Sequence, residues 1–323
     1  MRRRGLIALG AALAAAPALA QTPAAWPERP VRIIVPFPPG GSTDVVTRLI
    51  AEGITGPLRQ PVIVENRGGA SGMIGAEAVA RAAPDGHTLL MGSSGTHSIN
   101  PSLFPNLPYD PVRHFAPVIL TATYPLLMVT PPDRAPSTVQ EFVAHARERA
   151  GRMNYCSIGN GQPSHLAAEL FKAMAGIEMQ HIPYRGSGPA ILAAMAGECD
   201  VLFDSALSSG PQVRAGRLKV LAISTARRIP SWPEVPTIAE SGLPGYDAYT
   251  WTALYAPVGT PEPVIRRLNE EVGRFIASPR FREALEAQGA VAGGGTPEEL
   301  ARFNADEIRK WAEVIRAGNI RAD

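Results

Sequence analysis

The sequence predicts an α/β fold of two lobes, each a mainly parallel sheet flanked by helices. The chief observation is a repeated order of apolar strand, glycine-rich turn and helix, which is typical of parallel strands joined by crossover helices. A second observation is that the middle of the chain, about 126–249, carries such repeats of its own. A third is the length of 323 residues, because single hydrophobic cores stop growing near ~250–300 residues.

Hydrophobic periodicity and the turn residues between apolar runs place the individual elements. The predicted strands cover 31–35, 62–64, 153–158, 178–183, 200–204 and 218–224. The predicted helices follow the turn 36–44 and then cover about 73–82, 165–175 and 189–196. The last third of the chain is predicted to be mainly helical, because its apolar residues recur at helical spacing.

Two crossings between the lobes are predicted. The chain would leave the first lobe near Pro125 and return to it near Trp251. We therefore expect residues 21–125 and 250–323 to form lobe 1 and residues 126–249 to form lobe 2. A protein with two such crossings is hinged and has a cleft between its lobes.

The first twenty residues are typical of a secretory signal peptide. Arg2, Arg3 and Arg4 precede an apolar stretch, and Ala18-Leu19-Ala20 matches a small-x-small cleavage site. The stretch is shorter than the ~20 residues that cross a bilayer. Cleavage would remove three of the 31 basic residues and none of the 29 acidic ones, which changes the net charge from +2 to −1.

Composition excludes several classes of protein. Glycine and proline number 31 and 32, but a hydrophobic share of 45% is too high for a disordered chain. Beyond the signal peptide the longest basic runs are pairs such as Arg227-Arg228. A nucleic-acid surface needs a denser basic stripe, so no nucleic-acid partner is expected.

The sequence contains two cysteines, Cys156 and Cys199. No CxxC pair and no cysteine–histidine spacing accompanies them, so no metal site is predicted. Both cysteines lie in or beside predicted strands of one region. Two buried thiols and one disulfide remain as alternatives, and the disulfide suits an exported protein.

Motifs of nucleotide binding and catalysis are missing or incomplete. The sequence has no P-loop, and the GNGQPS segment at 159–164 resembles GxGxxG without the acidic residue expected after the next strand. No GxSxG elbow and no HExxH helix occurs. We therefore predict no catalytic residue and no cofactor.

The turn after the first strand is suited to holding an anion. A helix N-terminus carries unpaired N–H groups and the positive end of the helix dipole. Gly40 and Gly41 let the backbone approach a ligand, because neither has a Cβ. Ser42 or Thr43 is expected to cap the helix. Asp44 would either support the first helical turn or contact the ligand.

A second turn offers similar groups from the other lobe. Asn160, Gly161 and Ser164 precede or open the predicted helix over 165–175. Two such turns facing one cleft would hold a small carboxylate between neutral donors. Closure of the hinge would complete the donor set and favour the closed state.

The segment VPFPPGGSTD at 35–44 resembles the opening signature of the Bug family, the periplasmic TctC-like receptors of tripartite tricarboxylate transporters. The likeness recurs in order along nearly all of the mature chain, at 64–67, 84–90, 157–161, 183–186, 203–205, 235–237 and 242–245.

The resemblance implies a two-lobed periplasmic-binding-protein fold of the Venus-flytrap type II class with no enzymatic activity. It also implies a small carboxylate ligand, membrane permease subunits as partners and a periplasmic location. A monomer is expected because a receptor that closes on its ligand usually works as one. In such receptors the turn after the first strand grips a carboxylate, partly through backbone N–H groups and ordered waters. The site residues implied are Pro38, Pro39, Gly40, Gly41, Ser42, Thr43, Asp44, Ser93, Ser94, Thr96, His97, Asn160, Gly161, Ser164, Tyr184, Arg185 and Asp204.

Asp204 bears on the choice of ligand. It would either cap the helix that follows its strand or accept a hydrogen bond from a ligand amino group, hydroxyl group or protonated ring nitrogen. An acid at the cleft disfavours a polyanion, so smaller or zwitterionic acids are favoured over citrate. Two alternative functions stay open: a ligand-presenting sensor of a two-component kinase, and a hydrolase or lyase on the same fold.

Overall fold

A computed structural model describes residues 26–321 except 135, 150 and 288. The expected signal peptide, residues 1–20, lies outside the described residues. Across the described part of the chain, every helix is too short or too polar to cross a membrane.

The described residues form strands and helices that alternate through most of the chain. The strands are β1 (Val31–Val35), β2 (Val62–Asn66), β3 (Thr88–Ser93), β4 (Phe115–Thr130), β5 (Asn154–Ser157), β6 (Gln180–Pro183), β7 (Val201–Ser205), β8 (Lys219–Ile223), β9 (Tyr249–Pro257) and β10 (Val291–Gly294). The helices are α1 (Ser42–Leu58), α2 (Met73–Ala80), α3 (Asn100–Leu103), α4 (Val139–Glu148), α5 (Pro163–Ala175), α6 (Ser187–Met195), α7 (Ala206–Arg214), α8 (Glu262–Ile276), α9 (Pro279–Glu286) and α10 (Pro297–Ala317).

Strand β4 belongs to two sheets. Its first part, 115–125, pairs with β9 and in places with β10, next to β3, β1 and β2. Its last part, 126–130, pairs with β7 and β8, next to β5 and β6. The long strand therefore carries the chain from one sheet into the other.

The pairing directions follow from this path. Strand β1 is parallel to β2 and β3, and β5 is parallel to β6 and β7, as the repeated strand–turn–helix units predict. Every antiparallel pair involves β4 or β9. Strand β9 brings the chain back beside β4, with Tyr249 opposite Pro125, so these two strands run in opposite directions.

Helix α10 packs against both parts of the molecule. Near its N-terminus, Leu300 is buried with the cluster around Trp251. Near its C-terminus, Trp311 and Val314 are buried in the cluster that contains Phe171. The end of the chain thus packs with the second sheet, whereas the sequence assigned all of 250–323 to lobe 1. A helix of 21 residues is about 30 Å long and spans both parts.

Cys156 and Cys199 form a disulfide, 43 residues apart in sequence. Cys156 lies in β5, and Cys199 lies just before β7. Both are fully buried in an apolar cluster that also contains Leu202. Of the two alternatives left by the sequence, the structure contains the disulfide.

Candidate functional site

A cavity of about 280 Å³ opens between the two sheets. Residues from both sides line it, because strand ends and helix N-termini of both sheets meet there. The residues expected at the site that do line it are Gly41, Ser42, Thr43, Ser93, Ser94, Gly161, Ser164 and Asp204. Direct contact of these residues with a ligand stays a prediction.

The first turn presents an uncapped helix N-terminus to the cavity. Gly41 is the N-cap of α1, and no side chain caps this helix. Ser42 and Thr43 already lie inside the helix, so the expectation that one of them acts as cap is wrong. The first N–H groups of α1 therefore have no intrahelical partner and lie at the cavity wall.

Asp44 does not line the cavity, because its carboxylate is used inside the protein. It accepts the backbone N–H of Gly40 at 2.9 Å, Nε of Arg48 at 3.0 Å and Nδ2 of Asn66 at 2.9 Å. Burial raises the pKa of this carboxyl, but the hydrogen bonds outweigh burial and hold the pKa below its ordinary value. Asp44 thus shapes the turn.

Pro38, Pro39 and Gly40 form the outer part of the same turn and are exposed. They also do not line the cavity. Gly40 has φ of 87°, a left-handed backbone that favours glycine. Phe37, which precedes them, faces the cavity instead.

Ser93 and Ser94 lie at the cavity, but Thr96 and His97 are fully buried behind it. The His97 ring stacks on Tyr255 at 4.0 Å between ring centres, and its Nδ1 lies 2.9 Å from Oγ1 of Thr96. Burial lowers the pKa of His97 to about 3, so its imidazole is neutral. Both residues support the wall of the cavity from the core.

The second turn has fewer free donors than the sequence suggests. The N–H of Gly161 donates to Nδ1 of His165 at 3.0 Å, and the Ser164 hydroxyl donates to the carbonyl of Phe203. Burial, helped by the charges of His181 and Lys172, lowers the pKa of His165 to about 3. A neutral imidazole accepts the Gly161 hydrogen bond.

Asn160, Tyr184 and Arg185 do not line the cavity. Nδ2 of Asn160 donates to the carbonyl of Arg321 at 3.0 Å. The hydroxyl of Tyr184 donates to Glu198 at 2.8 Å, and Arg185 is exposed. From the turn that contains Tyr184 and Arg185, it is Ser187 that reaches the cavity.

Asp204 lies in the cavity wall and is 1% exposed. Its Oδ1 accepts the Ser187 hydroxyl at 2.7 Å, whereas its Oδ2 has no hydrogen-bond partner. Burial raises the pKa of Asp204 to about 6, against the lowering effect of hydrogen bonds from Ser187 and the Ser205 backbone. Ser205, not Asp204, caps α7, since its hydroxyl accepts the N–H of Leu207.

Strand β4, which crosses between the sheets, and its neighbour β9 supply cavity residues that the sequence analysis missed. These are Tyr124 and Leu126 of β4 and Thr250 and Thr252 of β9. In sequence they belong to apolar runs that are typical of core strands. The signal that could have found them is the predicted crossing near Pro125, because residues beside a crossing border the cleft.

Charge is scarce at the cavity. Asp204 is the single acidic residue among the described residues that line it, and none of those residues is Lys, Arg or His. Hydroxyl and amide side chains supply most of the polar groups. Nor do the described residues include a group of three His, Cys, Asp or Glu side chains placed to hold a metal ion.

Comparison with known proteins identifies the family. The sequence pattern of the tripartite tricarboxylate transporter family receptors, TctC, matches residues 46–320. The chain belongs to this TctC family. Protein BugT of Bordetella pertussis is 39% identical, over 94% of this chain and 92% of BugT. The resemblance found in the sequence is therefore confirmed.

Solved TctC-like structures share the fold. Rpa4515 of R. palustris with adipate is 36% identical, with a TM-score of 0.80 over 92% of this chain and 99% of that one. MatC of Rhodopseudomonas palustris with bound malate is also 36% identical, with a TM-score of 0.75 over 90% of this chain and 100% of MatC. These matches confirm the α/β periplasmic-binding-protein fold. TctC proteins are periplasmic solute-binding receptors and not enzymes.

Proposed function

We propose that this protein captures a small carboxylate between its two lobes and delivers it to a membrane permease of the tripartite tricarboxylate type. The observation that carries the proposal is the meeting of two uncapped helix N-termini, those of α1 and α5, at one small cavity. Adipate and malate in the related structures agree with a carboxylate ligand.

Neutral donors are sufficient for this task. Hydrogen bonds to a charged group are worth about 1.5–3 kcal/mol each, and they are stronger where water is excluded. The N–H groups at Ser42 and Thr43 lie at one place with the hydroxyl groups of Ser94 and Thr250, which are bonded to each other and leave one hydroxyl free to donate. A few such hydrogen bonds offset the hydration that the carboxylate loses on binding.

The crossing strands provide the hinge. Strand β4 runs from the first sheet into the second, and β9 begins beside this crossing point, with Tyr249 opposite Pro125, next to the cavity. Rotation at this point would close the cavity around a ligand that touches both sides. The disulfide between Cys156 and Cys199 suits a periplasmic protein whose signal peptide, residues 1–20, is cleaved on export. We propose that the receptor acts as a monomer.

The test places a negative charge at the N-terminus of α1. Gly41→Asp introduces a preferred N-cap residue at a φ of −77°, with no atom nearer than 4.0 Å to the new Cβ, so the fold should be retained. The added carboxylate would occupy the donors and repel an anion. We expect calorimetry with a panel of carboxylates to show a loss of affinity of about 100-fold.

Pro261→Asp is the matched control. It places the same residue at the N-cap of α8, which is exposed and does not line the cavity, and should leave affinity unchanged. Binding of no carboxylate by the wild-type protein, or equal affinity of the Gly41→Asp variant, would contradict the proposal. Delivery is tested by uptake of the ligand in cells that lack the receptor: wild-type protein should restore it, and Gly41→Asp should not.

A further inference from the structure

Glu307 is a buried acid of α10 that lies outside the cavity lining. It is 4% exposed. Its Oε2 accepts the indole N–H of Trp251 at 3.1 Å and that of Trp311 at 3.0 Å. Its Oε1 forms an ion pair with Lys310. Both oxygens of this carboxylate are therefore bonded inside the protein.

The two indoles that share Oε2 of Glu307 belong to different cores. Trp251, in β9, is buried in the cluster that contains Leu90 of β3. Trp311, in α10, is buried in the cluster that contains Phe171 of α5. One carboxylate oxygen therefore connects the core of the first sheet to the core of the second. Hydrogen bonds to a charged acceptor are stronger than those to a neutral one, so both indoles are held firmly.

Stability alone does not account for an acid at this position. Burial of a charged pair removes its hydration, and apolar residues of similar size often serve stability as well or better. The protein also folds with unpaired indoles elsewhere, because the buried N–H groups of Trp26 and Trp232 have no hydrogen-bond partner. A requirement for fixed geometry explains why two indoles are held by one carboxylate here.

The same turn of α10 holds the start of β9 at a second point. Nζ of Lys310 donates to the carbonyl of Asp247 at 3.3 Å and lies 5.3 Å from the centre of the Tyr249 ring. Glu307 and Lys310 are an i,i+3 pair, so they lie on the same face of the helix. Residues 247–251, where the chain returns to the first sheet, are therefore fixed against α10.

The residues on either side of Trp251 reach the ligand cavity. Successive side chains of a strand point to opposite faces, so Trp251 points toward Glu307 while Thr250 and Thr252 line the cavity. Oγ1 of Thr250 lies 2.9 Å from Oγ of Ser94, which also lines it. A shift of Trp251 would therefore move hydroxyl groups of the cavity wall.

We propose that Glu307 is a positioning residue for ligand binding. It fixes Thr250 and Thr252 through Trp251, and it connects them through Trp311 to the core in which α5 packs. Because the N-terminus of α5 lies at the other side of the cavity, Glu307 places the two walls relative to each other without touching the ligand. This inference rests on the proposed capture of a carboxylate.

The test compares two replacements of Glu307, with malate and adipate as probes. Glu307→Leu removes the acceptor, whereas Glu307→Gln keeps a neutral oxygen for the indoles. In folded protein we expect Glu307→Leu to lower the affinity for the tighter probe by about tenfold or more in calorimetry. Glu307→Gln should recover part of this loss. Native affinity of Glu307→Leu, or equal losses in both variants, would overturn the inference.

Val314→Ala is the matched control. Val314 is a buried residue of α10 in the cluster of Trp311, about two helical turns beyond Glu307. Its truncation destabilises the core but leaves the bonds between Glu307 and β9 in place, so affinity should be unchanged. A loss of affinity as large as that of Glu307→Leu would overturn the inference, because general destabilisation of α10 would then be sufficient.

A double-variant cycle tests the route through β9. Thr250→Val removes the hydroxyl group and keeps the shape of the side chain. In this background Glu307→Leu should lower the affinity by only about threefold, because part of its effect passes through Thr250. The same loss as in the wild-type background would show that Glu307 does not act through this hydroxyl and would overturn the inference.

Hydrogen exchange followed by NMR tests the positioning without a ligand. The indole N–H of Trp251 and the backbone N–H groups of Thr250 and Thr252 should exchange at least about tenfold faster in Glu307→Leu than in the wild type or Val314→Ala. Unchanged exchange would overturn this inference and leave the carboxylate receptor standing. Binding of no carboxylate by the wild type would overturn the proposed function, whereas exchange would still decide whether Glu307 fixes β9.

Discussion

The backbone N–H of Gly40 donates to the carboxylate of Asp44 at 2.9 Å. The turn after β1 is thus closed by an acid of the helix that follows it. The same carboxylate also accepts from Arg48 and Asn66, and Asn66 donates in addition to the carbonyl of Phe37. A network of side chains outside the cavity therefore fixes the residues that line it.

Asp44→Asn should disturb this network. The amide keeps one acceptor but loses its charge and places a donor toward Arg48 or Asn66. We expect a loss of about 1–3 kcal/mol in the free energy of unfolding and an affinity for ligand about tenfold lower. Urea unfolding and calorimetry measure the two effects. Asp306→Asn, on the exposed face of α10, should show neither, and an Asp44→Asn protein with native affinity would refute the positioning role.

His165 should hold the second turn in the same way. Replacement by Leu leaves the N–H of Gly161 without its acceptor, which costs about 1–3 kcal/mol of stability for a buried group. Ligand affinity should fall as the turn loosens. His165→Asn retains an acceptor near the position of Nδ1 and should recover part of both losses. Equal behaviour of the two variants in denaturant and in calorimetry would show that the hydrogen bond is unimportant.

The raised pKa of Asp204 predicts that the free energy of unfolding depends on pH. The folded carboxyl keeps its proton up to a pKa of about 6, whereas the unfolded one loses it near 3.8. The folded state therefore binds more protons between these values, and the stability contribution of Asp204 is lost as pH rises through this window. The loss amounts to roughly 3 kcal/mol, at about 1.4 kcal/mol for each pH unit.

Asp204→Asn should remove this loss of stability at higher pH. In refolded, ligand-free protein the variant should be more stable than the wild type at pH 7.5, by up to about 3 kcal/mol, with a smaller difference at pH 4.5. Urea unfolding at the two pH values checks this. A variant less stable than the wild type at pH 7.5 would mean that Oδ2 of Asp204 has a favourable partner in the free protein.

The disulfide should affect stability and not binding. Cys156 and Cys199 are 43 residues apart, and closing a loop of this length is worth about 2–4 kcal/mol. Neither residue lines the cavity. The double variant Cys156→Ala, Cys199→Ala should lose about that much free energy of unfolding and keep its ligand affinity. A large loss of affinity in protein that is folded under the assay conditions would contradict this separation.

Local features were predictable from the sequence. The strand over 31–35, the turn after it and the helix that follows are each set by residues within one turn or one strand, although the helix begins at Ser42, inside the predicted turn 36–44. Apolar alternation, glycine at the turn and the start of helical periodicity are short-range signals. The family motifs also predicted the overall fold, because they occur in the same order along nearly the whole mature chain.

Which side chains meet at the cavity depends on contacts between distant parts of the chain. Oγ of Ser94 lies 2.9 Å from Oγ1 of Thr250, which is 156 positions away in sequence. No local sequence pattern indicates this pair. Thr96 and His97 follow Ser94 closely, yet they lie in the core because the helical turn after β3 directs them inward.

The sequence alone determined an α/β protein with helix N-termini suited to an anion, since turn chemistry and periodicity act over a few residues. The tertiary structure decided that Asp204, Ser94 and Thr250 lie at one cavity, whereas the side chains of Asp44 and His165 accept hydrogen bonds from the two turns. The meeting of side chains at the cavity depends on strand pairing between residues more than a hundred positions apart, as where Tyr249 of β9 lies opposite Pro125 of β4.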